Sequence, residues 1–244
     1  IIKKYLNKDI KIEFVKTENK LIKKIRYTDN YTNQKIFQNN LNESDRFSSI
    51  EEKKVITKIT KIKDRYDEVI LFDYGYTYSN EKLFKQIKNL SKKMTINCQS
   101  NSYNFGYNLA NKFKSGKTIS MDEPEYRLIV RNKEDAMIKL IKKNKKLFNN
   151  FKYLIVTQGK KGCFLKKNNK IFHVPAVLNT AIDSTGAGDI FLSMFFALNL
   201  SKNFTDYEKL IASHISAGLH ANQVGNRFRF NVLDIYKIIS SIIK

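Results

Sequence analysis

The run Asp183-Ser184-Thr185-Gly186-Ala187-Gly188-Asp189 concentrates more chemistry than any other stretch of the chain, and the apolar segment from Ile190 to Leu198 follows it directly. Small residues let a backbone turn tightly and bring its N–H groups close to a ligand. They stand where a helix begins, and unpaired N–H groups plus the positive dipole end favour an anion there. The helix behind is apolar on nearly every side, which predicts burial. A carboxylate in its first turn, Asp189, is placed to accept a proton from a hydroxyl that attacks a phosphate. Taken locally, the same residues also suit a glycine-containing helix start with an acidic cap.

Four other segments carry candidate groups. Thr157-Gln158-Gly159-Lys160-Lys161-Gly162 follows an apolar strand and reads as a turn, with or without a ligand above it. In Ser120-Met121-Asp122-Glu123-Pro124-Glu125, acidic residues and an early proline suit a helix start. Asn222 and Gly225 lie where a helix pattern ends in a turn. The stretch Asn97 to Asn108 is rich in amides, including Asn101 and Asn104. Such side chains suit hydroxyls or phosphate, and equally suit turns and caps.

The elements that must position these groups alternate. Short β-like runs are expected at Ile10–Val15, Leu21–Tyr27 and Gln34–Gln38, then a helix over Ser48–Lys63. A strand at Val69–Phe72, a helix over about 80–92 and a strand at Met94–Asn97 come next. Tyr153–Thr157 is a further strand, and Cys163–Lys166 with Lys170–Val174 is hairpin-like. Helices are expected over Ala187–Leu200, Tyr207–Asn222 and Val232–Ile243. Short apolar strands alternating with helices imply a mostly parallel sheet covered on both faces, with ligands beyond the strands' carboxyl ends.

The seven-residue run closely resembles the signature D-T-x-G-A-G-D of the ribokinase-like (phosphofructokinase B) carbohydrate kinases. The resemblance implies a three-layer α/β/α fold with a mostly parallel sheet and a β-lid, and ATP with Mg²⁺ as cofactors. It assigns Asp189 as catalytic base and Gly186, Ala187 and Gly188 as the anion hole. It puts Thr157, Gly159 and Gly162 under the nucleotide phosphates, and Asn222 and Gly225 beside the adenine. It sets Glu125, with Asp122 in place of the family's Asn, at the magnesium. On the substrate side it implies Asp183, Asn101, Asn104 and Lys24, the last alternating with Arg26 on a lid strand. Asp73-Tyr74-Gly75 and the Asn97–Asn108 run are similar to a subgroup near the heptose-phosphate kinases, although Thr77 stands where that subgroup has Gly. Nothing in residues 1–60 matches the family's early Gly-Gly sugar motif. The expectation is therefore one kinase domain, 1–244, that lacks its N-terminal strands and keeps a partial lid at about 10–40. A homodimer through the lid is a further implication.

Composition narrows the partners. Forty-five Lys+Arg against 23 Asp+Glu give a formal charge of +22. The excess is mostly Lys, scattered among Asn and Ile rather than patched with Arg and aromatics, which argues against nucleic acid and for small anionic substrates. Cys98 and Cys163 offer neither a disulfide framework nor metal spacing, and suit a reducing cytoplasm. No apolar run reaches the roughly 18 residues of a membrane span. The opening Ile1-Ile2, without Met, predicts a start that is not the native one. Two functions stay open at this level: a sugar or sugar-phosphate kinase, or a non-catalytic nucleotide-binding protein on the same fold.

Overall fold

The computed structural model describes residues 10–15, 22–29, 31–32, 35–41, 47–62, 64–76, 81–178, 180–223 and 231–243. Lys23–Thr28 (β1) and Lys35–Leu41 (β2) form a separate antiparallel ribbon. Six further strands make one sheet in chain order. Val69–Asp73 (β3), Met94–Cys98 (β4), Gly116–Asp122 (β5) and Phe151–Thr157 (β6) pair in parallel. Cys163–Lys167 (β7) and Lys170–Val174 (β8) then extend the sheet antiparallel.

The pleat of β6 explains the layering. Leu154 and Val156 face one way, into a core with Leu83, Ile96, Ile119, Tyr126 and Leu140. Tyr153 and Ile155 face the other way and pack with Phe191, Phe195 and Leu210. Both sets are buried, so the strand reads as a continuous apolar run instead of an alternating one. The first core is closed by helices Ser49–Ile62 (α1), Glu81–Lys88 (α2), Glu123–Val130 (α3) and Met137–Lys143 (α4). The second is closed by Ala187–Leu200 (α5) and Asp206–Ala221 (α6), followed by Val232–Ile243 (α7). The architecture is the expected three-layer α/β/α.

Sequence signals account for most boundaries. Thr205 caps α6 by accepting from the Glu208 amide, while Glu208 reaches back to the Thr205 amide, a reciprocal capping box. Four readings are corrected. Helix α5, expected from its all-round apolar sequence to be buried, buries only Phe191, Leu192 and Phe195, because it covers the sheet with one face and leaves the other outward. Ile10–Val15 is not a strand; its Glu13 pairs with Lys58 on α1, and the Lys58 ammonium donates to the Phe14 carbonyl. The helix expected over 80–92 is α2 followed by a 3₁₀ turn at Ser91–Lys93. The elements β5 and α4 went unread. Central β5 buries Thr118 and Ser120, which dilute its apolar signal, and α4 has only seven residues. Among the described residues no helix is long and apolar enough to cross a membrane.

Gly162 closes the turn between β6 and β7 at φ +99°, and a Cβ there would collide with the Val174 carbonyl oxygen. Gly162→Ala is therefore expected to destabilise the fold by at least about 1–3 kcal/mol, the scale of a strained backbone conformation. Urea unfolding monitored by circular dichroism measures this; an unchanged midpoint would mean the turn relaxes freely.

Candidate active site

At the carboxyl ends of the parallel strands lies a cleft of about 410 Å³. Its floor is Asn97, Ser120 and Thr157, the last residues of three adjacent strands or close to them. Gln99 and Ser100 line one wall, and Ser184, Thr185, Gly186, Gly188 and Asp189 another. Across from them stand Lys24 and Arg26, whose alternate positions on β1 turn both to one face of the ribbon. The Lys24 ammonium lies 5.5 Å from the centre of the Tyr76 ring.

The Asp183–Asp189 segment is held from below. The amides of Ile182 and Asp183 donate to the Ala221 carbonyl at the end of α6, at 2.7 and 2.9 Å. Buried His220 donates from Nε2 to the Thr185 carbonyl at 2.9 Å. Asp183 accepts from the Thr185 amide at 2.9 Å, so at least one of its oxygens shapes the turn. Gly186, at φ +82°, then opens α5 without a side-chain cap. The Ala187 amide is taken by the Ser184 carbonyl at 3.1 Å. Among the described residues the amides of Gly186, Gly188 and Asp189 have no hydrogen-bond acceptor. A Cβ on Gly188 would meet nothing within 4 Å, so no protein atom requires glycine at that position. The three unsatisfied donors stand together at a helix start, an arrangement that favours an anion, while the Ala187 amide expected among them is engaged in the turn.

Three carboxylates line the cleft: Asp189, Glu125 and Asp122. Asp189 accepts from the Tyr74 hydroxyl at 3.0 Å and from the Gln99 side-chain amide at 2.6 Å. Burial raises its carboxyl above the usual aspartate range; the two donors and His220 pull it partly back. Glu125 accepts from the Ser100 amide at 2.7 Å and the Asp122 amide at 2.9 Å, while Asp122 accepts from the Glu125 amide at 2.8 Å. This capping box starts α3 and lodges the Glu125 carboxyl inside the cleft wall. Burial, then the charge of Asp122, push it up to about 7.

Other sequence candidates are distributed differently. Thr157, Asp122, Glu125 and Lys24 line the cleft; Gly159 and Gly162 do not, and Gly162 serves the turn. Asn222 caps α6, donating from its side chain to the Gly218 carbonyl at 3.0 Å. Gly225 lies outside the described residues. Asn101 and Asn104 are not among the lining residues: both side-chain amides donate to the Tyr74 carbonyl, at 2.8 and 3.0 Å. Sequence reasoning missed Tyr74 and Gln99 as partners of Asp189, because those contacts span 115 and 90 residues.

The elevated Glu125 has a stability consequence. The folded state holds this proton up to about pH 7, whereas the unfolded chain releases it near 4.5. Between those values the native state binds more protons, so stability falls as pH rises through the window. Glu125→Gln should flatten this slope, gaining relative to wild type by up to about 3 kcal/mol between pH 4.5 and 7.5. Urea titrations at both pH values test it; parallel slopes would show that Glu125 ionises normally.

The sequence model described as pfkB family carbohydrate kinase matches residues 2–216. The bifunctional protein HldE of Haemophilus influenzae (strain PittEE) is 23% identical over 184 residues, covering 73% of this chain and 37% of that protein. HldE of Aliarcobacter butzleri is 24% identical over 215 residues, 86% of this chain and 44% of that protein. The chain thus spans less than half the length of these relatives. Among solved structures, phosphofructokinase-2 from Escherichia coli in complex with potassium superposes with a TM-score of 0.65 at 14% identity, covering 85% of this chain and 67% of its own. Ribokinase from Thermotoga maritima gives 0.64 at 17%, covering 86% and 67%. These neighbours share the fold, and the match over residues 2–216 makes the chain a member of the pfkB family of carbohydrate kinases.

Proposed function

We propose that the chain transfers the γ-phosphoryl group of ATP to a hydroxyl of a sugar phosphate, with a heptose phosphate as the favoured acceptor. The observation that carries this reading is the Asp189 carboxylate beside the unsatisfied amides of Gly186, Gly188 and Asp189. Asp189 takes the hydroxyl proton as that oxygen bonds to phosphorus, and the electron pair of the breaking bond leaves with ADP. The amides meet negative charge that grows on the transferring group; being fixed at the start of a helix anchored in the core by Phe191 and Phe195, they need no reorganisation at that moment.

Thr157 at the end of β6 lies on the floor where the nucleotide phosphates would rest, and the turn through Gly159 and Gly162 continues from it. Asn222, on the last turn of α6, is the described residue assigned to the adenine side. Bound Mg²⁺ would neutralise charge on the transferring phosphates. The donor set suits that ion: it keeps most of its waters and uses one or two carboxylates plus phosphates, and here Glu125 and Asp122 share the cleft. Among the described residues no cluster of three or more His, Cys, Asp or Glu forms an all-protein cage.

Lys24 and Arg26 favour an acceptor that already bears a phosphate, because two cations on one strand face suit an anion better than a neutral hydroxyl. The heptose assignment rests on the likeness of Asp73–Gly75 and Asn97–Asn108 to that subgroup, and agrees with HldE proteins standing among the relatives. On its other face the ribbon exposes Ile25, Tyr27, Phe37 and Leu41, with Tyr27 and Phe37 stacked at 4.1 Å. That apolar face supports a homodimer through the lid. The two buried free cysteines agree with a reducing cytoplasm.

Asp189→Asn is expected to keep the fold and ATP affinity while lowering phosphoryl transfer by about 10²–10⁴, the usual cost of losing a general base; near-wild-type turnover removes the assignment. Lys24→Ala with Arg26→Ala is expected to raise KM for a heptose phosphate while leaving KM for ATP unchanged. The comparison panel is the same sugars with and without the terminal phosphate. Equal kcat/KM for both classes in the wild-type protein contradicts the anionic acceptor.

A further inference from the structure

Tyr74 sits on a turn that is fixed from several directions. Asp73 ends β3, is fully buried, and pairs with Lys112. Its Oδ1 accepts from the Gly75 amide at 2.9 Å, and its carbonyl accepts from the Gln99 amide at 2.8 Å. Gly75 lies against the amide-rich segment so closely that a Cβ there would overlap the Asn104 side chain. The carbonyl of Tyr74 itself receives both Asn101 and Asn104. The segment in which the sequence suggested substrate contacts is thus, in part, a mount for Tyr74.

What the mount presents is the phenol. Its hydroxyl donates to Asp189 Oδ2 at 3.0 Å, opposite the Gln99 donor on Oδ1. We infer that Tyr74, held by Asp73, Asn101 and Asn104, is a positioning residue: with Gln99 it fixes the Asp189 carboxylate as an anion aimed into the cleft. The inference rests on the reading of Asp189 as the general base. A partly buried carboxyl in the first turn of α5 loses hydration, and that loss works against the charged form that accepts a proton. Two donors to the charged form counter this. Tyr74 itself stays protonated, since burial and then the Asp189 charge raise its phenol above the ordinary tyrosine range. Asp189 is only partly buried and lines the cleft, and the oxygen that takes the Tyr74 hydroxyl has a second lone pair for an incoming hydroxyl.

The groups around Asp189 from each wall are Tyr74 after β3, Gln99 after β4, Glu125 on α3 and His220 on α6, with Lys24 and Arg26 across the cleft. Removing the phenolic hydroxyl removes a donor that favours the charged form, so the Asp189 carboxyl should protonate at higher pH. The experiment follows the ¹³Cγ carboxyl resonance of Asp189 in the full chain as a function of pH, assigned by its absence from Asp189→Asn. In Tyr74→Phe, which keeps the ring and its packing, the midpoint is expected to rise by about one pH unit, as is typical for losing one charge-assisted hydrogen bond. Should Tyr74→Phe not fold, the reciprocal measurement serves: the ¹³Cζ resonance of Tyr74 should titrate at lower pH in Asp189→Asn than in wild type. An unmoved Asp189 midpoint in folded Tyr74→Phe, or an unmoved Tyr74 midpoint in Asp189→Asn, overturns the inference. Neither readout uses a sugar acceptor, so the result is independent of whether Asp189→Asn loses phosphoryl transfer, which tests the base itself.

Discussion

A carboxylate held next to unsatisfied amides at the start of a helix packed on the core by one face is the constraint around which this molecule is organised. The two features oppose and complete each other. Packing of α5 on the core through Phe191 and Phe195 partly desolvates Asp189 and makes its charge costly, while the same packing fixes the Gly186, Gly188 and Asp189 amides in place. Free donors and a partly desolvated carboxylate within one helical turn suit a reaction in which negative charge arrives on a phosphoryl group as a proton departs. The remainder of the fold supplies rigidity. The Ala221 carbonyl and His220 brace the segment from α6, and the sheet brings three strand ends beneath it.

The second carboxylate shows how the same sheet builds a different environment. Glu125 belongs to a capping box, a local device readable from D-x-x-E before an apolar helix. Its backbone partners stabilise the anion, yet burial and Asp122 outweigh them and move it to about 7. Asp189, by contrast, is balanced by side chains from distant parts of the chain. Glu125 is thus placed by a local capping box but tuned by burial and the distant Ser100 amide, whereas Asp189 is held by side chains far away in sequence.

That division explains what could be read in advance. Strands β3, β4, β6, β7 and β8 and helices α1, α5, α6 and α7 follow from apolar runs and capping signals, and Asp189 with its glycines follows from a motif whose chemistry is local. Strand β5 stayed hidden because Thr118 and Ser120 are buried by neighbouring strands, not by their own hydrophobicity. Asn101 and Asn104 looked like ligand groups because an amide's type does not reveal its partner; the fold gives them the Tyr74 carbonyl. Ala187 lost its expected place in the anion hole through one turn hydrogen bond to Ser184. Tyr74 and Gln99 reach Asp189 only once the parallel sheet has formed, and no local pattern announces such contacts.

The most direct measurement is an amide ¹H–¹⁵N titration of the full chain with a non-hydrolysable ATP analogue and Mg²⁺. The account predicts saturable shifts at the Gly186, Gly188 and Asp189 amides, with a smaller response at Ala187, whose N–H is already bonded within the turn. Saturable binding that leaves those three amides unmoved would place the phosphates elsewhere and contradict it.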